Sequence, residues 1–365
     1  MNGKILSVVV PSYNMEKYLA KCLGSLVIAP TLMKELEVLV VNDGSKDGTS
    51  EIAHEFAAKW PGTFKVIDKE NGHYGSCVNA ALKVLTGKYV RLLDADDYVS
   101  SAEFAEYLEF LLKLSRGTGS IPDLVLTDYD KVDDSGALIK HYTQPFEKEL
   151  VDPREFLMLA ASGKYYPAMP GITYRTEILK DLGYVQSEGV PYTDSEWILY
   201  PMAGVKVIAY CPVVVYQYLL GRDGQSMSSA NIRLGLWKIS MVRNENFVRN
   251  YSRYSSGESS AEFRAYLDKC AYEFLYWPYL ACIVKHAVAI CEGGLSGFDS
   301  FVKKTDLKLY EWVGTFTRQR VFRFYFVRAW REGKWVRLAM CILCDSFCSR
   351  ASKLIRGMFR SFSSR

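Results

Sequence analysis

The chain has 365 residues, of which 49% are hydrophobic and 24% are charged. This balance is typical of globular proteins and excludes disordered, collagen-like and small disulfide-stabilised chains. The longest stretch without a charged residue covers 15 positions, from Val207 to Gly221, whereas a helix that crosses a bilayer needs about 20 apolar residues. The apolar run before Pro11 is too short for a secretory signal peptide. We therefore expect a cytoplasmic protein.

The net charge of +4 is distributed unevenly along the chain. Residues 318–365 contain twelve Lys and Arg against two acidic residues, so they carry +10 while residues 1–317 carry −6. Basic residues mixed with Phe and Trp suit the surface of a membrane that carries anionic lipid. A solvated helical face and a nucleic-acid surface are the alternatives. We favour peripheral contact with the inner face of the cell membrane and expect no nucleic-acid partner.

The first hundred residues alternate between short β-branched runs and helix-like segments. This rhythm is typical of a parallel sheet covered by helices on both faces, an α/β architecture. Ligands of such sheets bind beyond the carboxyl ends of the strands. The predicted strands are Ile5–Val10, Glu37–Val41, Phe64–Ile67 and Tyr89–Leu93, and the predicted helices are Glu16–Val27, Thr49–Lys59 and Tyr74–Leu85.

The remainder of the chain divides near residue 230. Residues 101–225 are mixed, with strands expected at Leu124–Tyr129 and within Val205–Leu220, and the chain after Gln225 is helical in character. We therefore predict one α/β domain at 1–230, with halves 1–100 and 101–230, and a helical C-terminal extension at 231–365.

Three carboxylates follow the fourth predicted strand, in the run Asp94-Ala95-Asp96-Asp97. Carboxylates this close repel one another unless a cation lies among them. Mg²⁺ and Mn²⁺ prefer oxygen ligands, and Mg²⁺ usually shares its coordination shell with substrate phosphates. The alternative is that Asp96 or Asp97 caps a helix at Ala102–Leu114. One aspartate is enough for a cap, so we favour a metal site.

Asp43 follows the second predicted strand within the sequence NDGSKDGT. A carboxylate at a strand exit can accept hydrogen bonds from a base or a ribose. Tyr13, after the first strand, can stack on a base, although ordinary loop packing explains a single tyrosine equally well.

These segments together resemble the nucleotide-binding half of the family 2 glycosyltransferases, which have the GT-A fold. The resemblance covers residues 5 to about 100, and it rests on VVVPSYNMEKYLAKCLGSL, VLVVNDGSKDGTSEIA and ENGHYGSCVNAALKVLTGKYVRLLDADD. It implies a nucleotide-sugar donor, most often a UDP-sugar, and a Mg²⁺ or Mn²⁺ ion at the donor's diphosphate. By position it implies that the base pocket is lined by Pro11, Tyr13, Asn14 and Glu16.

The same resemblance assigns the remaining donor contacts. Asp43 would bind the base and Gly72 would lie near the ribose. Asp94 would hold the ribose or the metal, Ala95 would lie beside it, and Asp96 would be a metal ligand. One position departs from the family, which often has an arginine where this chain has Val78. His73 and Lys88 are the candidates to supply the missing positive charge.

The family also places an acidic catalytic base late in the fold, and Asp194 in the sequence YTDSEW is the best match. It would remove the proton from the acceptor hydroxyl during an inverting displacement. The alternative is that Asp194 only caps a helix that begins at Ser195. The loop that begins at Gly221 resembles one that closes over the donor diphosphate, with Arg222 and Gln225 as phosphate ligands, and a plain surface loop is equally plausible there.

We therefore expect an inverting, metal-dependent glycosyltransferase that acts on a glycan or lipid-linked acceptor in cell-surface polysaccharide synthesis. The serious alternative is a non-catalytic module that binds a nucleotide-sugar or glycan and keeps the fold. A dinucleotide oxidoreductase is disfavoured because no GxGxxG follows the first strand, and a P-loop enzyme is excluded because GxxxxGK[ST] is missing.

Overall fold

The computed structural model describes residues 3–117, 119–190, 193–221, 236–256, 259–280, 283, 294–316 and 325–334. The chain divides into two compact units. The first contains Met1–Ile239 with Ser259–Leu267, and the second contains Ser240–Glu258 with Asp268–Arg365. The predicted boundary near residue 230 lies outside the described residues.

Four parallel strands form one half of the sheet in the first unit. They are β1 (Leu6–Ser12), β2 (Leu36–Asn42), β3 (Phe64–Asp68) and β4 (Tyr89–Leu92), in the order β3-β2-β1-β4. Every residue of β1 and β2 is buried, because helices cover both faces of a parallel sheet. The strands and their parallel pairing were predicted from the sequence and are confirmed.

The helices that follow these strands are α1 (Leu19–Ser25), α2 (Pro30–Met33), α3 (Thr49–Lys59) and α4 (His73–Leu82). Helix α1 is shorter than the predicted Glu16–Val27. The segment before it is held by the loop after β2, since the backbone N–H of Met15 donates to Thr49 Oγ1 at 2.6 Å and that of Glu16 donates to Asp47 Oδ2 at 3.2 Å.

The second half of the sheet is mixed. Its strands are β5 (Tyr98–Val99), β6 (Leu124–Val132), β7 (Leu138–Tyr142), β8 (Leu150–Val151), β9 (Ile172–Arg175) and β10 (Ile208–Leu219). The order continues from β4 as β9-β6-β10-β5, with β7 on β6 and β8 on β10. Strands β6 and β10 are parallel, and the other pairs in this half are antiparallel.

Strand β10 is one continuous strand of 12 residues. Its register against β6 shifts after Cys211 and again after Val214. Pro212 lies at the first shift, and a proline cannot donate to the ladder, so a bulge is the expected local structure. Regular pairing resumes at Tyr216 in a shifted register, and the last four residues of the strand continue to the candidate site described below.

The α-helices that accompany this half of the sheet are α5 (Ser101–Arg116), α6 (Pro153–Ala161), α7 (Thr176–Asp181) and α8 (Asp194–Leu199). The guanidinium of Arg91 lies fully buried in β4, between the rings of Tyr107 and Tyr216 at 5.6 and 6.0 Å. It donates to the hydroxyls of Thr127 and Thr173 at 3.1 and 3.2 Å. This buried polar layer connects β4 with its neighbours in the sheet.

The C-terminal region is helical, as predicted. Its helices are α9 (Leu236–Ser256), α10 (Ala261–Leu280), α11 (Gly294–Thr305), α12 (Leu307–Val313) and α13 (Phe326–Arg331). In the second unit Asp299 accepts hydrogen bonds from Arg331 and from Tyr279 Oη, which lies at 2.6 Å, and so joins three helices. None of the helices within the described ranges is both long and apolar enough to span a bilayer. Most of the basic segment 318–365 lies outside those ranges.

Candidate functional site

The first four strands are parallel, so their carboxyl ends meet at one edge of the sheet. The loops that leave this edge contain residues 13–18, 43–48, 69–72 and 93–97. Most of the side chains that the sequence assigned to a donor site belong to these loops, and Pro11 is buried near the end of β1. Ligands of open α/β sheets bind at such an edge.

The first two loops are tied together by side chains of the first. Asn14 Oδ1 accepts from the backbone N–H of Lys46 at 2.8 Å, and Glu16 Oε2 accepts from that of Gly48 at 2.8 Å. Asn14 has a φ of 53°, a left-handed conformation that asparagine tolerates better than most residues. The ring of Tyr13 remains 46% exposed beside these contacts, so it is free to contact a ligand.

Asp43 is buried at the exit of β2, with only 3% of its surface exposed. Its Oδ1 accepts from Lys69 Nζ at 2.6 Å and from the backbone N–H of Gly72 at 2.9 Å. Lys69 Nζ also donates to Ser76 Oγ at 2.8 Å. These bonds fix the carboxylate in one orientation and place a positive charge against it, which a buried carboxylate requires.

Gly72 cannot be replaced without disturbing this arrangement. A Cβ at that position would lie 2.7 Å from Ser76 Oγ, closer than such atoms approach, and would make a tight contact of 3.2 Å with Lys69 Nζ. The glycine therefore lets its own N–H and the ammonium group of Lys69 converge on Asp43. Gly72 also forms the N-cap of α4.

Lys69 was not identified from the sequence, although it follows β3 and so leaves the sheet at the same edge. Among the described residues, Lys69 forms the ion pair with Asp43. Val78, which stands where the family often has arginine, is fully buried in α4. Of the two candidates for the missing charge, His73 is exposed and Lys88 lies at the opposite end of the sheet, directly before β4.

The acidic run after β4 forms a cluster. One carboxylate oxygen from each of Asp94, Asp96 and Asp97 lies within 4.8 Å of the others. Asp97 is buried and accepts from Tyr216 Oη at 2.6 Å and from the backbone N–H of Leu219 at 2.7 Å. Burial raises the pKa of Asp97 well above its usual range, and the negative charges of Asp96 and Asp94 add to this effect.

The three carboxylates therefore differ in their access to a ligand. Asp97 connects the loop after β4 to the end of β10, whereas Asp94 and Asp96 are partly exposed. A set of carboxylate oxygens at this spacing fits a hard divalent cation such as Mg²⁺ or Mn²⁺. The helix-cap interpretation of Asp96 and Asp97 is wrong, because α5 begins at Ser101 and its N-cap is Ser100.

Tyr74 is a further member of the cluster that the sequence analysis did not identify. Its hydroxyl donates to Asp94 Oδ1 at 2.9 Å from the first turn of α4. Burial raises the pKa of Tyr74 well above its usual range, and the negative charges of Asp94 and Asp194 contribute. The hydroxyl therefore stays protonated and remains a donor to Asp94 at neutral pH.

Asp194 is the first residue of α8, and its side chain is exposed. The N-cap of that helix is Thr193, so the interpretation of Asp194 as the N-cap is wrong. Gln186 Nε2 donates to the carbonyl of Thr193 at 2.8 Å, and the backbone N–H of Gln186 donates to Asn79 Oδ1 of α4 at 2.9 Å. The start of α8 is therefore anchored to the helix that carries Tyr74, and the charge of Asp194 contributes to the raised pKa of Tyr74. Arg222 and Gln225 lie outside the described residues.

Known proteins resemble this chain in sequence and in fold. Residues 7–159 match the family model for glycosyl transferase family 2. A glycosyltransferase of Bacillus subtilis, EpsJ, is 37% identical over 105 residues, 29% of this chain and 30% of that protein. TarS of Staphylococcus aureus, a poly(ribitol-phosphate) β-N-acetylglucosaminyltransferase, is 29% identical over 227 residues, 62% of this chain and 37% of that protein.

The crystal structure of residues 1–349 of S. aureus TarS in complex with UDP-GlcNAc is similar to this chain. The TM-score is 0.64 at 20% identity, and the match covers 94% of this chain and 92% of that chain. At this identity the likeness shows the GT-A fold. The curated relatives are matched over only 12% to 37% of their own length.

Proposed function

Since this chain belongs to glycosyl transferase family 2, we propose that it is a glycosyltransferase that moves a sugar from a UDP-sugar to a hydroxyl group of an acceptor. The observation that carries the proposal is the pairing of two features at one edge of the sheet. One is the fixed, charge-compensated carboxylate of Asp43. The other is the oxygen-ligand cluster of Asp94, Asp96 and Asp97.

Asp43 would recognise the base of the donor. Asp43 is paired with the ammonium group of Lys69, and the oxygens of a carboxylate accept hydrogen bonds, so Asp43 suits the imide N–H of uracil. The exposed ring of Tyr13 would stack on the base, while Asn14 and Glu16 would act by holding the two loops together. The similar structure of TarS with UDP-GlcNAc supports a uridine nucleotide.

Asp94 and Asp96 would hold a Mg²⁺ or Mn²⁺ ion. Such an ion, when bound, neutralises the charge that develops on the departing diphosphate. Tyr74 would keep the Asp94 carboxylate in one orientation through its hydrogen bond, and Asp97 would keep the whole loop attached to β10. This chain's own contribution is therefore an arrangement of carboxylates fixed before the donor arrives.

Asp194 would act as the base. It would take the proton from the acceptor hydroxyl as that oxygen forms a bond to the anomeric carbon. The bond from the anomeric carbon to the diphosphate oxygen breaks in the same step, and its electron pair leaves with UDP. One displacement inverts the anomeric configuration. The exposure of Asp194 at the start of α8 supports this role, since a base must reach an acceptor that arrives from solvent.

The acceptor would be a glycan or lipid-linked molecule in the synthesis of a cell-surface polysaccharide. The support is that two of the curated relatives are a poly(ribitol-phosphate) transferase and a minor teichoic acid biosynthesis protein. Peripheral contact with an anionic membrane through residues 318–365 belongs to the same proposal, and it rests on the charge of that segment.

The test is the release of UDP from a panel of UDP-, GDP- and dTDP-sugars, with and without Mn²⁺. We expect Mn²⁺ to strengthen the binding of one UDP-sugar and to be required for its slow hydrolysis. The Asp96→Asn variant should lose at least a hundredfold in hydrolysis and should still bind UDP without metal. Metal-independent binding without hydrolysis would favour the alternative, a binding module that keeps the fold without its chemistry.

A further inference from the structure

One face of strands β6, β7 and β10 carries a row of basic and aromatic side chains that the donor chemistry does not use. The strand register places Tyr218 of β10 beside Lys131 of β6, and Lys131 beside Lys140 of β7. Tyr142 lies on the same face, two residues beyond Lys140. We call Tyr218, Lys131, Lys140 and Tyr142 the lysine–tyrosine row.

The row is held together by contacts between the ammonium groups and the rings. Lys131 Nζ lies 5.0 Å from the centroid of the Tyr142 ring and 5.6 Å from that of Tyr218. Lys140 Nζ lies 4.4 Å from the centroid of the Tyr142 ring. The Tyr142 ring stacks in parallel on Tyr129 at 4.7 Å, which fixes its position. The two positive charges therefore share one aromatic support.

Within the described parts of the chain, neither lysine forms an ion pair. Asp130, which is adjacent to Lys131, pairs instead with His141 on the opposite face at 2.7 Å. Asp133 accepts from the backbone N–H groups of Ser135 and Ala137 in the hairpin turn. Among the residues that the structure describes, no carboxylate compensates these two positive charges, although residues 1–317 together carry a net charge of −6.

One end of the row reaches the candidate active site. Burial raises the pKa of Tyr218 to about 12, and the charges of Asp97, Asp94, Asp96 and Asp194 all contribute to that shift. Tyr216, two residues before Tyr218 on the same face of β10, donates to Asp97 at 2.6 Å, so this end of the row lies beside the acidic cluster. Neighbouring strands are about 4.8 Å apart, so the row extends roughly 10 Å outward from β10 to β7.

We propose that the lysine–tyrosine row is the acceptor subsite. It binds an acceptor that carries an anionic group, either a phosphate or a carboxylate. That group lies within about one sugar or polyol unit of the hydroxyl that reacts. Tyrosine rings offer an apolar face and a polar edge, which match the C–H face and the hydroxyl groups of such a chain. The two ammonium groups supply the charge complement. The inference rests on the proposed transferase function, because it takes Asp194 as the base.

The test measures the binding of three defined oligomers to the full chain in the presence of UDP. They are a short glycerol-phosphate oligomer, an oligogalacturonate of equal charge and neutral maltohexaose. We expect at least one anionic oligomer to bind tenfold more tightly than maltohexaose. The Lys131→Ala/Lys140→Ala variant should weaken that binding at least fivefold, whereas Lys131→Arg/Lys140→Arg should keep it. The two anionic oligomers distinguish a phosphate from a carboxylate.

A matched control is Lys148→Ala/Lys164→Ala, which removes two exposed lysines of the same unit outside the row. Its binding should equal that of the unaltered chain. The proposal is overturned if no anionic oligomer binds, if maltohexaose binds equally well, or if the row variant matches the control. It is also overturned if the row variant loses only binding to vesicles of anionic lipid. UDP affinity is measured separately and tests the transferase proposal itself. Failure of the acceptor proposal can therefore be distinguished from failure of the transferase proposal.

Discussion

Lys69 gives Asp43 the opposite charge that a buried carboxylate requires, in a chain that has Val78 where its family often has arginine. Removing one partner of such a pair typically costs about 3 kcal/mol. We expect Lys69→Met to weaken UDP binding at least tenfold, because Asp43 loses both its charge partner and its orientation. Lys69→Arg, measured in parallel by calorimetry, should bind UDP within a few-fold of the unaltered chain. Equal UDP affinity in Lys69→Met would contradict a base site at Asp43.

Tyr74 offers a second test at the scale of one hydroxyl. Its bond to Asp94 is worth about 1 kcal/mol. We therefore expect Tyr74→Phe to weaken Mn²⁺-dependent UDP binding about fivefold and to leave metal-free UDP binding unchanged. Tyr89→Phe is the control, since the buried hydroxyl of Tyr89 has no partner among the described residues. If both variants bind Mn²⁺ and UDP equally well, Tyr74 does not orient a metal ligand.

At the scale of the elements, Glu37 joins the amino-terminal ends of the parallel strands, opposite the candidate site. This fully buried carboxylate in β2 accepts from Ser7 of β1 at 2.6 Å, from Lys65 of β3 at 2.7 Å and from the backbone N–H of Thr86, before β4, at 2.8 Å. Burial acts to raise the pKa of Glu37, but hydrogen bonds from Lys65, Ser7 and Thr86 outweigh it and lower the pKa.

A carboxyl group whose pKa is lower in the folded state stabilises the fold above its unfolded pKa, about 4.3 for Glu, and loses this contribution as the pH falls. We expect Glu37→Gln to lower the free energy of unfolding by about 2 kcal/mol at pH 7. The difference between variant and parent should shrink near pH 4, as measured by urea unfolding at both pH values. A difference that stays constant with pH would contradict the role of the charge.

The same elements show how far the sequence alone can predict this fold. The four parallel strands were predicted to within two residues, because buried central strands are continuous β-branched runs. Strands β5 and β8 have two residues each and carry no periodic pattern, so they were missed. The carboxylates at the strand exits could be identified, since their position follows from the strand order. Lys69 and Tyr74 could not be assigned, since the direction of a side chain depends on packing.

At the scale of the whole molecule, the family match covers residues 7–159, and Asp194 and Tyr218 lie beyond it. Asp194 was named from the sequence through the family resemblance. The lysine–tyrosine row was not, although β6 and β10, which carry Lys131 and Tyr218, were predicted in part. Acceptor choice in such enzymes depends on individual side chains in a pocket, which no general pattern encodes. The proposed donor site was therefore largely predictable from the sequence, whereas the proposed acceptor subsite required the structure.

The basic segment 318–365 carries +10 and gives the last prediction. Each basic residue near an anionic surface contributes about 1 kcal/mol, and added salt screens this attraction. We expect the full chain to sediment with vesicles that contain anionic lipid at low salt and to be released from them at about 0.5 M salt. It should not bind vesicles of neutral lipid. The Lys131→Ala/Lys140→Ala variant should sediment like the unaltered chain, because its tail is intact. Failure to bind anionic vesicles at low salt would remove membrane contact from the proposed function and leave the donor chemistry untouched.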